Sequence, residues 1–324
     1  MKSLRLFILL IFVQSALFAQ TNFTSLVNPF IGTGGHGHTF PGATMPFGMM
    51  QLSPDTRLEG WDGCGGYHYS DSAIYGFSHT HLSGTGVPDY CDVLLMPFTG
   101  NVQWKNKVYA SPFSHANEKA SPGYYEVLLD KHNIKAALTT SYRSGMHAYT
   151  YDASATEGKI LLDLKHRDEV LESSLEIVNE YEVKGLRRSK YWAKDQYVYF
   201  YIRFQQPIKE YGIANDDELS KLNLTSVHNS KNLKSYFTFS LGDNKTVQLK
   251  IGISGVSAEN AKLNLDTEIP AWDFNLVRKN AAAAWNKELG KIDIKGGTHD
   301  QQVSFYTALY HTMVAPKHLY RCER

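Results

Sequence analysis

Hydrophobic and polar positions divide the chain into three stretches that follow an apolar leader. Over residues 27 to 100 the apolar positions keep no clean period, and Gly, Pro, His and aromatic residues are interspersed among them. This predicts loops and short strands whose turns need positive or fixed φ. Loops of that length in a compact domain are usually functional. From residue 124 to 254 the pattern becomes strand-like, with runs at 125–129, 134–142, 146–151, 159–164, 175–183, 197–204, 233–241 and 246–253. Ser144-Gly145, Lys184-Gly185 and Gly242-Asp243-Asn244 supply the turn residues between them. Many short strands with no helical pattern in between predict antiparallel sheets packed as a sandwich or barrel. In 197–204 Tyr197, Tyr199 and Tyr201 alternate with Val198, Phe200 and Ile202, so both faces of that strand should be covered.

From Pro270 the pattern turns helical. Residues 273–289 contain strong helix formers around Ala281-Ala282-Ala283-Ala284, with Gly290 as the stop. A brief extended piece at Ile292-Asp293-Ile294 follows. Asp300 then reads as the N-cap of a helix carrying Val303, Phe305, Tyr306, Leu309, Tyr310 and Met313, which Pro316 ends. An apolar helix so placed needs something to pack on, and its face around Val303, Phe305, Leu309 and Met313 is expected to be exposed.

The leader changes the compartment. Lys2 and Arg5 precede an apolar run at 6–13, and Ala16-Leu17-Phe18-Ala19 puts small residues before a cut at Gln20. Residues 1–19 read as a secretory signal peptide, which implies export to the periplasm or medium. The run is shorter than the ~20 residues a membrane-spanning helix needs, so no span should remain after cleavage. Charge adds little: 33 basic against 32 acidic residues gives no reason to expect nucleic acid. Of the three cysteines, Cys64 and Cys91 could pair in an exported protein. The odd count and the large core favour two buried thiols.

Candidate chemistry concentrates in the first stretch. Gly32-Thr33-Gly34-Gly35-His36-Gly37 fits G-x-G-x-x-G, but Pro41, Gly42 and Pro46 forbid the helix a phosphate loop needs. Gly34 and Gly35 are better read as a turn that lets backbone approach a ligand or another strand. Five of the 13 histidines fall between His36 and His81, as His36-x-His38, His68 and His79-x-His81. On a strand each H-x-H pair could aim two imidazoles at one metal, with His68, Asp89 or Asp92 as a third ligand. Hydrogen bonds to loop carbonyls or ligand hydroxyls are the plainer role. Trp61-Asp62, with Glu59, Tyr67 and His68 nearby, is the most ligand-like cluster, since an indole beside a carboxylate and an imidazole suits a sugar. Its alternative is a loop tryptophan plugging the sandwich.

At these residues the chain resembles glycoside hydrolase family 92, the exported α-mannosidases. The resemblance rests on Val27-Asn28-Pro29-Phe30-Ile31-Gly32-Thr33-Gly34, on Phe40-Pro41-Gly42-Ala43-Thr44-Met45-Pro46-Phe47-Gly48-Met49 and on Gly60-Trp61-Asp62. It continues through Gly66-Tyr67-His68-Tyr69, Gly76-Phe77-Ser78-His79-Thr80-His81-Leu82-Ser83-Gly84-Thr85-Gly86 and Asp92-Val93-Leu94-Leu95-Met96-Pro97. It returns at Phe305-Tyr306 and Tyr310-His311-Thr312-Met313, and departs at Val87-Pro88 and Cys91.

The resemblance implies a mainly β chain: an antiparallel β-supersandwich over 20–269, a linker helix and short strand over 270–298, and over 299–324 the truncated start of an (α/α)6 toroid. It also implies a calcium-dependent, inverting exo-α-mannosidase acting on mannose-containing glycans, at N-glycan or mannan termini. Inversion needs an acid and a base about 6.5–9.5 Å apart. In the family these carboxylates and most calcium ligands lie in the toroid, so no catalytic or metal residue is assigned here. The N-terminal domain is similar to a lid, and Trp61 is expected to line the leaving-group subsite. Asp62, His68, His79, His81, Gly34 and Gly35 complete the expected substrate-binding set, and the chain alone should be inactive. Two other readings stay open: a stand-alone carbohydrate-binding sandwich, and a metal-dependent hydrolase built on the H-x-H pairs.

Overall fold

A computed structural model describes residues 22–220 and 224–315. The predicted leader, Pro316 and Cys322 lie outside the described residues. Two large antiparallel sheets carry the molecule. One has nine strands, in the order Ser226–Ser230, Glu169–Asn179, Glu182–Lys190, Gln196–Phe204, Thr246–Ser254, Ser144–Thr150, Ile134–Thr140, Tyr124–Leu129 and Glu118–Ser121. The other has eight, in the order Ala43–Thr44, Gln51–Asp55, Gly76–Ser78, Leu94–Phe98, Glu157–Asp163, Leu233–Ser240, Glu210–Asn215 and Glu218–Leu219. Aromatic rings join the two inner faces. Phe204 of the first sheet lies 5.3 Å from Phe237 and 4.9 Å from Phe239 of the second, and Phe77 lies 6.1 Å from Tyr149. The expected sandwich is therefore the fold, with one apolar core running between the sheets.

The strand 197–204 is covered on one face and, on the face its tyrosines form, only at Tyr201; Tyr197 is exposed and Tyr199 half-buried. Phe200, Ile202 and Phe204 enter the main core, while Tyr201 packs with Met146 against a helix, Ala258–Glu268, that lies on the outer face. That helix starts twelve residues before the helical pattern was expected at Pro270. Ser257 caps it by accepting from Asn260 N–H, a signal the weak apolar period hid.

The run 175–183 is not one strand. Glu169–Asn179 and Glu182–Lys190 form a hairpin that turns at Glu180-Tyr181, and Lys184-Gly185, expected in a turn, sits inside the second strand. The reason is close approach. A Cβ on Gly185 would fall 2.1 Å from the Ser174 carbonyl and 2.5 Å from the Phe200 ring. Ser144-Gly145 likewise opens a strand rather than forming a turn.

After the sandwich, Phe274–Leu289 follows its Asp273 cap, and the next helix, His299–Thr312, starts earlier than expected. Thr298, not Asp300, is the N-cap: its hydroxyl accepts from Gln301 N–H while the Gln301 side chain accepts from Thr298 N–H. Residues 292–294 form no strand. The two helices dock on the N-terminal segment. Trp285 is fully buried, donates to the Thr44 carbonyl at 2.6 Å and lies 4.4 Å from Tyr310. Thr307 and Met313 bond the backbone of Asn28 and Phe47. The face expected to be exposed is partly covered: Met313 is buried, Phe305 and Leu309 are half-buried against the core, and Val303 is half-buried.

Candidate functional site

The glycine- and histidine-rich loops meet one another and separate into a rim around Trp61 and an interior. On the rim, Trp61 is 59% exposed. His38 meets it edge-on at 4.2 Å and His36 lies 5.2 Å away, tilted. Asp62 bonds His36 Nδ1 at 2.5 Å, and His38 Nε2 lies 3.9 Å from the same oxygen. The His36 hydrogen bond holds the Asp62 carboxyl below the usual carboxylate range. Gly86 explains how the indole is seated. Its φ is +68°, and a Cβ there would lie 2.9 Å from Trp61 Nε1 and 3.4 Å from His38 Nδ1. His68 is buried and holds the glycine loop, with Nε2 3.1 Å from the Gly35 carbonyl and Nδ1 2.8 Å from Ser70 Oγ. Gly34 runs beside Tyr69, and a Cβ on Gly35 would meet open space.

The interior is different. His79 and His81 are fully buried and point to separate partners. His79 Nδ1 donates to the Val93 carbonyl at 2.6 Å, and its Nε2 faces His147 Nε2 at 2.9 Å. His147 Nδ1 in turn meets the Tyr149 hydroxyl at 2.6 Å. Every nitrogen in this chain has a partner when both rings are neutral. Burial agrees, since it pushes His79 down to about 4 and His147 well below the usual histidine value. His81 Nδ1 faces the Gln51 carbonyl at 2.7 Å, and Nε2 lies 2.8 Å from Asp55 Oδ1. His166 flanks the second oxygen of Asp55 at 2.9 Å. Despite the cost of burial, these imidazoles hold the Asp55 carboxyl far below its usual range. His79 and His81 therefore do not face a ligand, which corrects their place in the expected substrate-binding set. Gly34, Gly35, Trp61, Asp62 and His68 do share the rim.

The metal reading of the H-x-H pairs loses its geometry. His36 and His38 serve Trp61 and Asp62, while His79 and His81 diverge. The three suggested third ligands are engaged: His68 on Gly35, Asp89 by the backbone N–H groups of Trp192 and Ala193 at 3.0 Å each, and Asp92 by the Arg187 guanidinium, Thr80 and Gln196. Among the described residues, one group has metal-like spacing, Asp55, His81 and Cys91, whose donor atoms lie within 4.8 Å of one another. Arg167 Nη1 already contacts Cys91 Sγ at 3.4 Å. Calcium takes six to eight oxygens. A buried set of one carboxylate, one imidazole and one thiol does not fit it. Cys64 and Cys91 are free and buried, the plainer of the two readings of the thiols.

Beside Trp61 opens a cleft of about 880 Å³ that sequence reasoning missed in part. It is lined by Leu58 to Trp61 and Gly86 to Pro88, by Lys165, Arg167, Asp168 and Glu169, and by Tyr191 and Trp192. Burial pushes the Asp168 carboxyl up to about 7, with Asp92 and Asp89 adding to the rise and Arg187 and Arg167 opposing it. The available signal was Tyr191-Trp192, two large aromatics in a polar turn between strand patterns.

The sequence profile of the glycosyl hydrolase family 92 N-terminal domain matches residues 26–254. The chain belongs to glycosyl hydrolase family 92. The profile of the family 92 catalytic domain matches residues 260–323. An α-mannosidase of the family from Bacteroides thetaiotaomicron superposes with a TM-score of 0.87 at 34% identity, over 92% of this chain and 42% of that one. An inverting family 92 mannosidase from the same organism superposes with a TM-score of 0.83 at 28% identity, over 93% of this chain and 41% of that one. A secreted glycosidase of Arthroderma benhamiae, described as uncharacterized, is 28% identical over 90% of this chain and 41% of its own length. The family 92 chain described here thus spans about two fifths of the length of these relatives.

Proposed function

We propose that this chain supplies the sugar-binding N-terminal part of an exported, calcium-dependent, inverting exo-α-mannosidase acting on N-glycan or mannan termini. The observation that carries the reading is Trp61, a half-exposed indole set on His38 at the rim, with Asp62 and His36 beside it. An aromatic face takes the C–H groups of a sugar and its polar neighbours take the hydroxyls. Support comes from the B. thetaiotaomicron α-mannosidase, which has also been solved with mannoimidazole, and from the inverting mannosidase. Export is supported by the fungal relative's description as secreted and by the leader. Among the described residues no helix is long and apolar enough to cross a membrane.

The rim residues bind and orient the leaving-group sugar. They do not make the chemistry. Asp62 is held by His36, Asp89 by two backbone amides and Asp92 by Arg187. None of these is a free pair able to protonate one face of a glycoside and activate water on the other. Calcium, when bound, would polarise and help distort the terminal mannose. The group with metal-like spacing, Asp55, His81 and Cys91, does not suit it, and its ligands are assigned by this reading to the toroid of such an enzyme.

In a full-length enzyme carrying this domain, Trp61→Ala should weaken binding of the leaving-group sugar by about 1–3 kcal/mol, by analogy with other stacking on aromatic side chains. The chain as given should release no mannose from α-mannobiose with calcium present. Turnover that disappears on mutating Asp62 or Asp92 would sink the assignment of a binding role. Unchanged saccharide kinetics in Trp61→Ala would favour the plug.

A further inference from the structure

We propose a second aromatic subsite, in which Trp192 and Tyr191, lining the same cleft as Trp61, hold the sugar that follows the leaving-group residue of a mannose-containing oligosaccharide. The inference rests on the proposed sugar role of Trp61 and adds a residue and a substrate length to it. Trp192 is 75% exposed and Tyr191 59%, and both line the cleft that Trp61 lines. At about 880 Å³ the cleft lies toward the upper end of the ~300–1,000 Å³ range of small-molecule sites.

The subsite is built, not merely exposed. Tyr191 and Trp192 sit at the tip between Glu182–Lys190 and Gln196–Phe204, strands paired from Glu182↔Arg203 to Ser189↔Gln196. Asp89, itself buried, accepts from Trp192 N–H and Ala193 N–H, pinning the tip to the 86–92 loop that also seats Trp61 through Gly86. Arg188 closes the base of the tip with a 2.7 Å pair to Asp195 and lies 4.9 Å over the Tyr197 ring. A tip held this way loses little further freedom when a ligand lands on it.

The chemistry of the cleft selects the ligand. Lys165 and Glu169 are exposed and line it with the half-buried Asp168; Glu169 pairs with Lys190 at 3.1 Å and Asp168 accepts from Tyr90 N–H at 3.1 Å. An apolar ligand would desolvate these groups without giving them new partners, which is unfavourable. A saccharide gives each a hydroxyl and still offers C–H faces to the indoles. The Asp168 carboxyl, lifted toward neutrality by burial, can donate as well as accept there.

Calorimetric titration of the purified chain with α-mannobiose, α-mannotriose and α-mannotetraose tests this. The expected result is an affinity that rises at least fivefold from the disaccharide to the longer ligands. Trp192→Ala should abolish the rise while leaving the disaccharide affinity within twofold. Trp192→Phe should keep part of it. Asp89→Ala, which leaves the ring present but unpinned, should reduce it. Trp61→Ala should lower affinity for all three ligands. If Trp192→Ala keeps the full length dependence, or if the wild-type chain shows none, the second subsite is overturned while loss of disaccharide binding in Trp61→Ala still upholds the first. A folded chain that binds no α-mannoside overturns both.

Discussion

The two H-x-H pairs have the same spacing and opposite fates. His36 and His38 lie in a glycine loop and attend an exposed indole, whereas His79 and His81 extend the strand Gly76–Ser78 into the interior and make no surface at all. The difference comes from what precedes each pair. A loop of Gly32 to Gly37 cannot bury its side chains in a ladder, while an edge-on continuation of a core strand must find internal partners for every nitrogen. Around His79 and His81 the interior is a nearly closed set of pairs: His79 with His147, His81 and His166 with Asp55, and Arg187 with Asp92. Around Trp61, His36 and Asp62 are left toward solvent, where a ligand can use them, while His38 is buried beside the indole.

The strongest way to break this comparison is to open one interior pair. Arg187 is fully buried, paired with Asp92, and bonds the Leu164 carbonyl at 3.0 Å. Arg187→Met should destabilise the chain by about 3–5 kcal/mol, because Asp92 is left as a buried charge with only Thr80 and Gln196. Urea unfolding monitored by circular dichroism reads this directly. A midpoint unchanged from wild type would mean that the interior is not the closed charge network described.

Acid probes the same interior. His79 is neutral when folded, with a value of about 4, while the unfolded chain takes up the proton near 6.5. The unfolded state thus binds more protons between these values. Stability is whole above about pH 6.5 and falls toward pH 4 by up to ~3 kcal/mol, and His147 acts in the same direction. Asp55, held far below the carboxylate range, contributes stability that is lost only below about pH 3.8, outside that window. Asp168 opposes the trend, so the measurement is cleanest in Asp168→Asn. A flat unfolding midpoint between pH 6.5 and 4 in that variant would contradict neutral buried imidazoles.

The interior was the part least legible in the sequence. Strand runs at 125–129, 197–204 and 246–253 were visible because their apolar content is dense, and the alanine run at 281–284 with Gly290 announced the helix that follows Asp273. Gly185 was read as a turn because a glycine needed for close backbone approach looks the same as one needed for positive φ. Trp61 and Asp62 stood out within a loop, but Trp192 did not, because its partner Asp89 lies about a hundred residues away in the sequence and only the fold brings them together. His79 and His81 were misplaced for the same reason: their partners, His147 and Asp55, come from other strands.

Asp168 lies at the boundary of the two regions. Its carboxyl titrates near 7 when folded and near 3.8 when unfolded, so the folded state binds more protons between those values. Stability from this group is present below pH 3.8 and is lost as pH rises through 7. Asp168→Asn removes that loss. It should stabilise the chain at pH 8 by about 2 kcal/mol once solvent screening is allowed for, and by little at pH 4. Equal shifts in the thermal midpoint at both pH values would show that the carboxyl is not the titrating group.

The smallest expected effect sharpens the comparison most, because it separates a binding rim from a plug. Trp192 is three-quarters exposed, so Trp192→Ala should change stability by no more than about 0.5 kcal/mol. Trp61 also meets His38 edge-on, and its loss should cost up to about 1 kcal/mol. Trp285, buried and bonded to the Thr44 carbonyl, is the contrasting case, where truncation should cost about 3–5 kcal/mol. Urea midpoints for the three variants, set beside their mannoside affinities, order the tryptophans by role. If Trp61→Ala falls with Trp285→Ala in stability and leaves saccharide binding untouched, the loop tryptophan belongs to the interior. If it keeps the fold and loses the sugar, the rim around His36 and His38 is the surface this domain offers to its substrate.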